Sequence, residues 1–230
     1  MPFVLEKTGA TSVVDVGCGT GDWLRVTTEL GISDILGVDF HDGGELNIPA
    51  DRYLSHDLTK PLNLGRKFDL AMSLEVGEHL PPEAAKPFVE LLTSLAPVVL
   101  YSAAIPGQGG TSHLNEQWPR YWAALFTDAG YTPIDCIRRQ FWENDRVVGY
   151  YAQNALLYVR ADLLNRYDDL RDLPSLDLLP VVHHGMYMDA VTELSKLNRL
   201  NSSRGLLKRL PGALWQSVAT RGARLFSKDD

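Results

Sequence analysis

The chain is poor in several things, and each shortage closes off a class of protein. It holds two cysteines, Cys18 and Cys136, in 230 residues. That is too few for a disulfide scaffold or a cysteine-built zinc site, and it points to a reducing, cytoplasmic setting. No apolar run approaches the ~20 residues that a membrane-spanning helix needs. Residues Met1 to Ala10 lack the basic-then-apolar order of a secretory signal. Internal repeats and low-complexity stretches are absent. Positive charge is also short, with 22 basic against 29 acidic residues and a net charge of −7. Eight of the basic residues lie between Ser195 and Lys228, where no acidic residue occurs, so residues 1–194 carry a balance of −13. An acidic body repels a phosphate backbone, and nucleic acid is not the expected ligand.

What is present suits a folded domain: 45% hydrophobic and 22% charged residues, the composition of an ordinary globular chain. Residues 12–17 form a β-branched run ending in glycine and read as a buried strand. Asp22 to Leu30 reads as a helix stopped by Gly31. Further strands are expected at Ile35–Phe40, Arg52–His56, Lys67–Leu74 and Pro97–Ala104, with helices at Pro82–Leu95 and Gln117–Ala129. This alternation implies a doubly wound α/β fold, five parallel strands with helices on both faces. Tyr131–Glu143 and Arg146–Arg160 are β-rich runs separated only by Asn144-Asp145, which predicts a closing antiparallel hairpin and seven strands in all. Residues 1–160 are thus expected to form the main domain, and 161–230 a helical C-terminal extension of it. The final leucines, Trp215 and arginines suit a membrane surface, a second subunit or the domain itself.

Val13-Val14-Asp15-Val16-Gly17-Cys18-Gly19-Thr20-Gly21-Asp22 sets three glycines at alternate positions between a strand and a helix. Glycine there allows positive φ and lets backbone approach a ligand. Asp39 follows Gly21 by 18 residues at the end of the next strand, where a carboxylate can accept bonds from both ribose hydroxyls. A nucleoside ligand follows. The spacing is G-x-G-x-G and not the G-x-G-x-x-G of dinucleotide sites. Asp15 and Asp22 flank it, repelling a pyrophosphate and suiting a cationic amino-acid end.

A second cluster lies after the fourth strand, in Glu75-Val76-Gly77-Glu78-His79. Positions i, i+3 and i+4 share one side of a helical turn. Two carboxylates and an imidazole pointing one way are costly unless a cation neutralises them. His113, after the fifth strand, comes from the neighbouring loop at the same carboxyl edge. Gly107, Gly109 and Gly110 precede it and suggest a lid, and Glu116 is placed to orient it. The bland alternatives are a surface turn for the glutamates and a loop histidine tied to Glu116.

The glycine loop resembles motif I of the class I S-adenosylmethionine-dependent methyltransferases, whose Rossmann-like sheet matches the expected fold over roughly residues 10–160. The resemblance implies that Gly17, Gly19 and Gly21 lie under the methionine moiety, Asp15 near its amino group, Asp39 on the ribose and Phe40 beside the adenine. His56-Asp57-Leu58 looks like the next ligand segment, Asp57 accepting from the adenine amino group; the bland alternative is a helix- or turn-capping aspartate. Glu75 is likewise placed against the cofactor. Glu-x-x-Glu-His with a later histidine is similar to the ubiquinone-biosynthesis O-methyltransferases and the small-RNA 3′-end 2′-O-methyltransferases. It is also similar to bacterial sugar O-methyltransferases of the methylmannose polysaccharide 1-O-methyltransferase type. The chain departs from the RNA branch in its acidic body and from the quinone branch in its His113–Pro119 segment. The resemblance implies a divalent cation, magnesium or manganese, held by Glu75, Glu78, His79 and His113 beside the acceptor hydroxyl. His113 and Glu116 are then the expected catalytic pair, acting on a small hydroxylated acceptor, a saccharide above all. Competing readings are a metal-free N- or O-methyltransferase with a histidine base, and a non-catalytic cofactor-binding scaffold. The aromatics Trp118, Tyr121, Trp122, Trp142, Tyr150 and Tyr151 suit either sugar stacking or core packing. His183-His184 and Tyr187 could reach the acceptor or stand as a surface group.

Overall fold

A computed structural model describes residues 1–40, 45–167 and 181–201 of the chain. Seven strands form a single sheet: β1 (Ser12–Val16), β2 (Asp34–Asp39), β3 (Tyr53–Ser55), β4 (Leu70–Leu74), β5 (Val98–Ser102), β6 (Tyr131–Ile134) and β7 (Leu156–Arg160). Their order is β3-β2-β1-β4-β5-β7-β6. The first five run parallel, and β7 lies antiparallel between β5 and β6. Val13, Val14 and Val16 of β1 are wholly buried because a parallel sheet is covered on both faces and its strands need apolar residues on each side.

The two faces form two cores. Beneath α3 (Ala85–Leu95) and α4 (Pro119–Asp128), Val14, Ala71, Val99 and Tyr101 pack with Phe88, Trp122 and Phe126. On the other face α1 (Pro2–Thr8), α2 (Asp22–Glu29) and α5 (Cys136–Phe141) cover Val13, Leu70, Met72, Val98 and Leu157. Trp122 is 2% exposed and belongs to the first core, so it is packing and not a sugar platform. Phe126 stacks on Tyr158 at 3.8 Å.

The antiparallel pairing of the last two strands is as expected, but the tight turn at Asn144-Asp145 is not. Between β6 and β7 the chain forms α5 and α6 (Gly149–Asn154), and Asn144 lies in the connection between those helices. The β-rich composition misled because Asp135 and Arg138 are three apart. Wound as a helix, they form a buried ion pair, Arg138 Nε donating to both Asp135 oxygens at 2.9 Å, a contact that i,i+3 spacing allows only on a helical turn. Phe141, at the end of that helix, meets Phe3 edge-to-face at 5.5 Å.

Residues Met1–His183 form one compact unit, and the segment from His184 a second. Within the first, a 3₁₀ stretch (Ala161–Arg166) follows β7, and the His183 amide donates to Gln153. In the second, α7 (His184–Asn201) is the described element. Of the basic C-terminal stretch, Lys196 and Arg199 lie on this helix, and residues 202–230 lie outside the described residues. Among the described residues no helix is long and apolar enough to cross a membrane.

Candidate active site

The carboxyl ends of β1, β2, β4 and β5 bring the two sequence clusters together. After β1, Gly17, Gly19 and Gly21 all take positive φ, at 87°, 54° and 89°, conformations that cost a side-chain-bearing residue about 1–2 kcal/mol. At Gly17 a Cβ would also lie 2.3 Å from Val76 Cγ2. The glycine loop is therefore packed directly on the Glu75–His79 segment. At Gly19 nothing lies within 4 Å of where a Cβ would be, leaving backbone open on that side.

Asp39 closes the loop, accepting from the Gly19 amide at 2.6 Å and from the Phe40 amide at 2.6 Å. Asp15 is 2% exposed. Burial first, and then the Asp39 charge, push its carboxyl up to about 7. Two carboxylates beside a bare glycine loop fit a ligand with a cationic end, such as the methionine portion of S-adenosylmethionine. Asp22 accepts from Asn47 at 3.1 Å, a partner that nothing in the local sequence indicates. Phe40 is 69% exposed, so it is not core and presents a free ring beside Asp39. Asp57 closes a turn: its Oδ1 accepts from the Thr59 amide at 2.9 Å and hydroxyl at 2.7 Å. Leu58 packs half-buried against the first core.

After β4, Glu75 sits in the left-handed region at φ 56°, an uncommon place for a residue with a side chain. Its amide donates to the Ser102 carbonyl at 3.0 Å and the Ser102 hydroxyl at 3.1 Å. Its carboxylate accepts from Gln108 Nε2 at 2.8 Å and Asn154 Nδ2 at 3.1 Å. Asn154 also donates to Gln108 Oε1 at 2.9 Å. Burial raises the Glu75 carboxyl above the usual range, and the bonds from Asn154, Ser102 and Gln108 partly offset it.

Glu78, His79 and His113 converge, one ligand atom of each lying within 4.8 Å of the others. Glu75, expected as a fourth member, is outside this trio and held by the two amides. Glu78 is 1% exposed, and among the described residues neither carboxylate oxygen has a well-formed hydrogen bond. Burial and then the Glu75 charge lift it to about 7, against weak support from the Glu78 and Ala104 amides and the His113 charge. Such a buried carboxylate beside two imidazoles is the donor set a divalent cation neutralises, so the residues present fit one. The His79 and His113 rings meet edge-to-face at 4.8 Å.

Glu116 organises the loop between them. Its oxygens accept from the Gly107 amide at 2.7 Å and the Gly109 amide at 3.0 Å, tying the glycine-rich segment down. Oε1 also pairs with His113 Nδ1 at 2.8 Å. Partial burial opposes ionisation of Glu116, but the His113 ring and the two amides together hold its carboxyl below the usual range. An ionised carboxylate only accepts, so Nδ1 carries the proton and Nε2 offers its lone pair. A Cβ at Gly110 would lie 2.2 Å from that Nε2; the glycine clears room at this nitrogen. The Leu114 and Asn115 amides donate to the Glu78 carbonyl at 2.7 and 3.0 Å, locking the His113 loop to the Glu78 turn. Sequence reasoning missed Gln108, Ser102 and Asn154. The first two had no distinguishing pattern, and Asn154 reaches the site only because β7 runs antiparallel beside β5. His183 Nε2 lies 2.8 Å from the Trp142 carbonyl, where it holds the end of its unit.

A family profile described as a methyltransferase domain matches residues 3–143. No curated protein sequence matches. Among solved structures the chain is similar to DesVI of Streptomyces venezuelae, at TM-score 0.52 and 18% identity over 70% of this chain and 88% of that one. It is also similar to the small RNA methyltransferase HEN1, at TM-score 0.50 and 16% identity over 69% of this chain and 24% of that one. Magnesium protoporphyrin IX methyltransferase of Synechocystis with bound S-adenosylmethionine aligns at TM-score 0.48 and 20% identity, over 69% and 75% of the two chains. At these identities the likeness is one of fold.

Proposed function

The chain belongs to the family of methyltransferase domains, of the S-adenosylmethionine-dependent kind, and on that premise we propose that it methylates a hydroxyl with the help of a divalent cation. The acceptor is a small hydroxylated molecule carrying a vicinal diol, a saccharide or similar polyol. The observation that carries the reading is the Glu78 carboxylate, buried and without a well-formed hydrogen bond among the described residues, within reach of His79 and His113.

When bound, the cofactor supplies an electrophilic methyl, and the cation, magnesium or manganese, supplies a Lewis acid that lowers the acceptor hydroxyl's pKa. Gly17, Gly19 and Gly21 bind the methionine portion against bare backbone, with Asp15 facing its ammonium. Asp39 accepts from the ribose hydroxyls, Phe40 covers the adenine, and Asp57 keeps its Oδ2 for the adenine amino group. Glu78, His79 and His113 hold the cation. Glu75, kept by Asn154 and Gln108, orients the turn that presents Glu78. His113, its tautomer set by Glu116, offers Nε2, which would either help hold the cation or, where Glu78 and His79 hold it, take the hydroxyl proton. Positioning the oxygen in line with the methyl is a large part of the rate gain.

The test is methyl transfer to a panel of polyols and sugars in chelator and after adding back magnesium or manganese. Turnover that vanishes with chelator and returns with metal supports the reading. Turnover indifferent to chelator replaces it with a metal-free transfer by the complete His113–Glu116 pair.

A further inference from the structure

On the sheet face covered by α1, α2 and α5 there is a cavity of about 570 Å³, within the ~300–1,000 Å³ of small-molecule sites. Leu74 and Leu100 form its floor, the Phe3–Phe141 pair one wall, and Trp23 with Tyr151 another. Trp23 and Tyr151 meet edge-to-face at 5.5 Å. These surfaces are apolar, while Glu6, Gln140, Asn144 and Arg146 line its solvent-open side. A cleft of this size with an apolar floor and a polar mouth has the make-up of a small-molecule site.

Its position ties it to the reaction. Leu74 immediately precedes Glu75, and Trp23 immediately follows Asp22 at the end of the glycine loop. Burial raises the Tyr151 hydroxyl, the bond it shares with the Trp23 side chain lowers it, and the charges of Tyr150, Glu75 and Asp15 raise it further. The cavity therefore adjoins both the donor loop and the Glu75 clamp.

The geometry points to an acceptor with two chemically distinct ends: a hydroxylated head at the Glu78–His79–His113 cluster and an apolar arm, hydrocarbon or aryl, in the cavity lined by Trp23, Leu74 and Phe141. This inference rests on the function proposed above and narrows its substrate class from a free polyol to an amphiphile. The cavity rather than the metal-binding turn then selects among acceptors, because each buried methylene can contribute up to about fourfold in affinity.

Calorimetry on the full chain with S-adenosylhomocysteine and manganese tests it, using ethane-1,2-diol, octane-1,2-diol and phenylethane-1,2-diol as probes. At least one armed diol is expected to bind tenfold or more tightly than ethane-1,2-diol, and the better of the two tells a chain from a ring. Val147→Trp, and independently Gln140→Trp at the exposed rim, fill the cavity. Each is expected to cut that preference below threefold without changing S-adenosylhomocysteine affinity. Equal affinity for the three diols, no measurable binding of either armed diol, or an unchanged preference in both folded variants would overturn the inference. Those results leave the metal reading intact, because that reading fails separately if manganese does not bind to the protein without any diol.

Discussion

Replacing Glu78 with glutamine separates the cost of an unpaired buried charge from its use as a metal ligand. Glu78 is 1% exposed and its oxygens have no well-formed hydrogen bond among the described residues. Its carboxyl titrates in the folded protein at about 7, against an ordinary value of 4.5. Between those values the folded chain keeps a proton that the unfolded chain releases, so stability falls as pH rises from 4.5 to 7 and stays low above it. At about 1.4 kcal/mol per pH unit the loss comes to about 3 kcal/mol. Glutamine has the shape of the protonated acid and never ionises. In urea melts with chelator, Glu78→Gln should match the wild type near pH 4.5 and exceed it by about 3 kcal/mol at pH 8. Asp15, also raised to about 7, adds the same slope to both proteins and cancels in the comparison. Manganese should reverse the order: at a thousandfold excess over its Kd, the wild type gains about 4.1 kcal/mol and the variant little. A variant less stable than wild type at pH 8 in chelator, or equally stabilised by manganese, would refute the reasoning.

Three further outcomes are expected. Gly17→Ala places a Cβ 2.3 Å from Val76 at φ 87°; calorimetry should show loss of S-adenosylhomocysteine binding, and adding Val76→Ala should restore part of it. Gly110→Ala crowds His113 Nε2 at 2.2 Å and should weaken manganese binding at least tenfold while leaving cofactor affinity unchanged. Glu116→Gln removes the carboxylate that pairs with His113 Nδ1 and accepts from the Gly107 and Gly109 amides. A loss of about 10–100-fold in metal affinity is expected, as for other groups that orient a ligand, with faster amide exchange at Gly107 and Gly109.

Much of the fold was legible because its signals are local. The valines of β1, the alternate glycines and the aspartate 18 residues beyond them identify a parallel sheet with a nucleoside-binding edge. Glu78, His79 and His113 could be grouped from sequence, since strands four and five were expected to be neighbours. The run from Tyr131 to Arg160 was misread in part. Its composition suits strands, but the Asp135–Arg138 pair and the packing of Phe141 on Phe3 favour helices between β6 and β7.

Sequence alone determined the chemistry available at the carboxyl edge: an acidic, glycine-lined pocket, and a turn that carries carboxylates and an imidazole. Only tertiary structure decided how that chemistry is shared out. The insertion of β7 between β5 and β6 delivers Asn154 to Glu75, and with Gln108 it holds that carboxylate. Periodicity and charge report what a residue is and which face it takes. They carry no record of which distant amide will meet a carboxylate, because that contact follows from the packing of strands far apart in the chain.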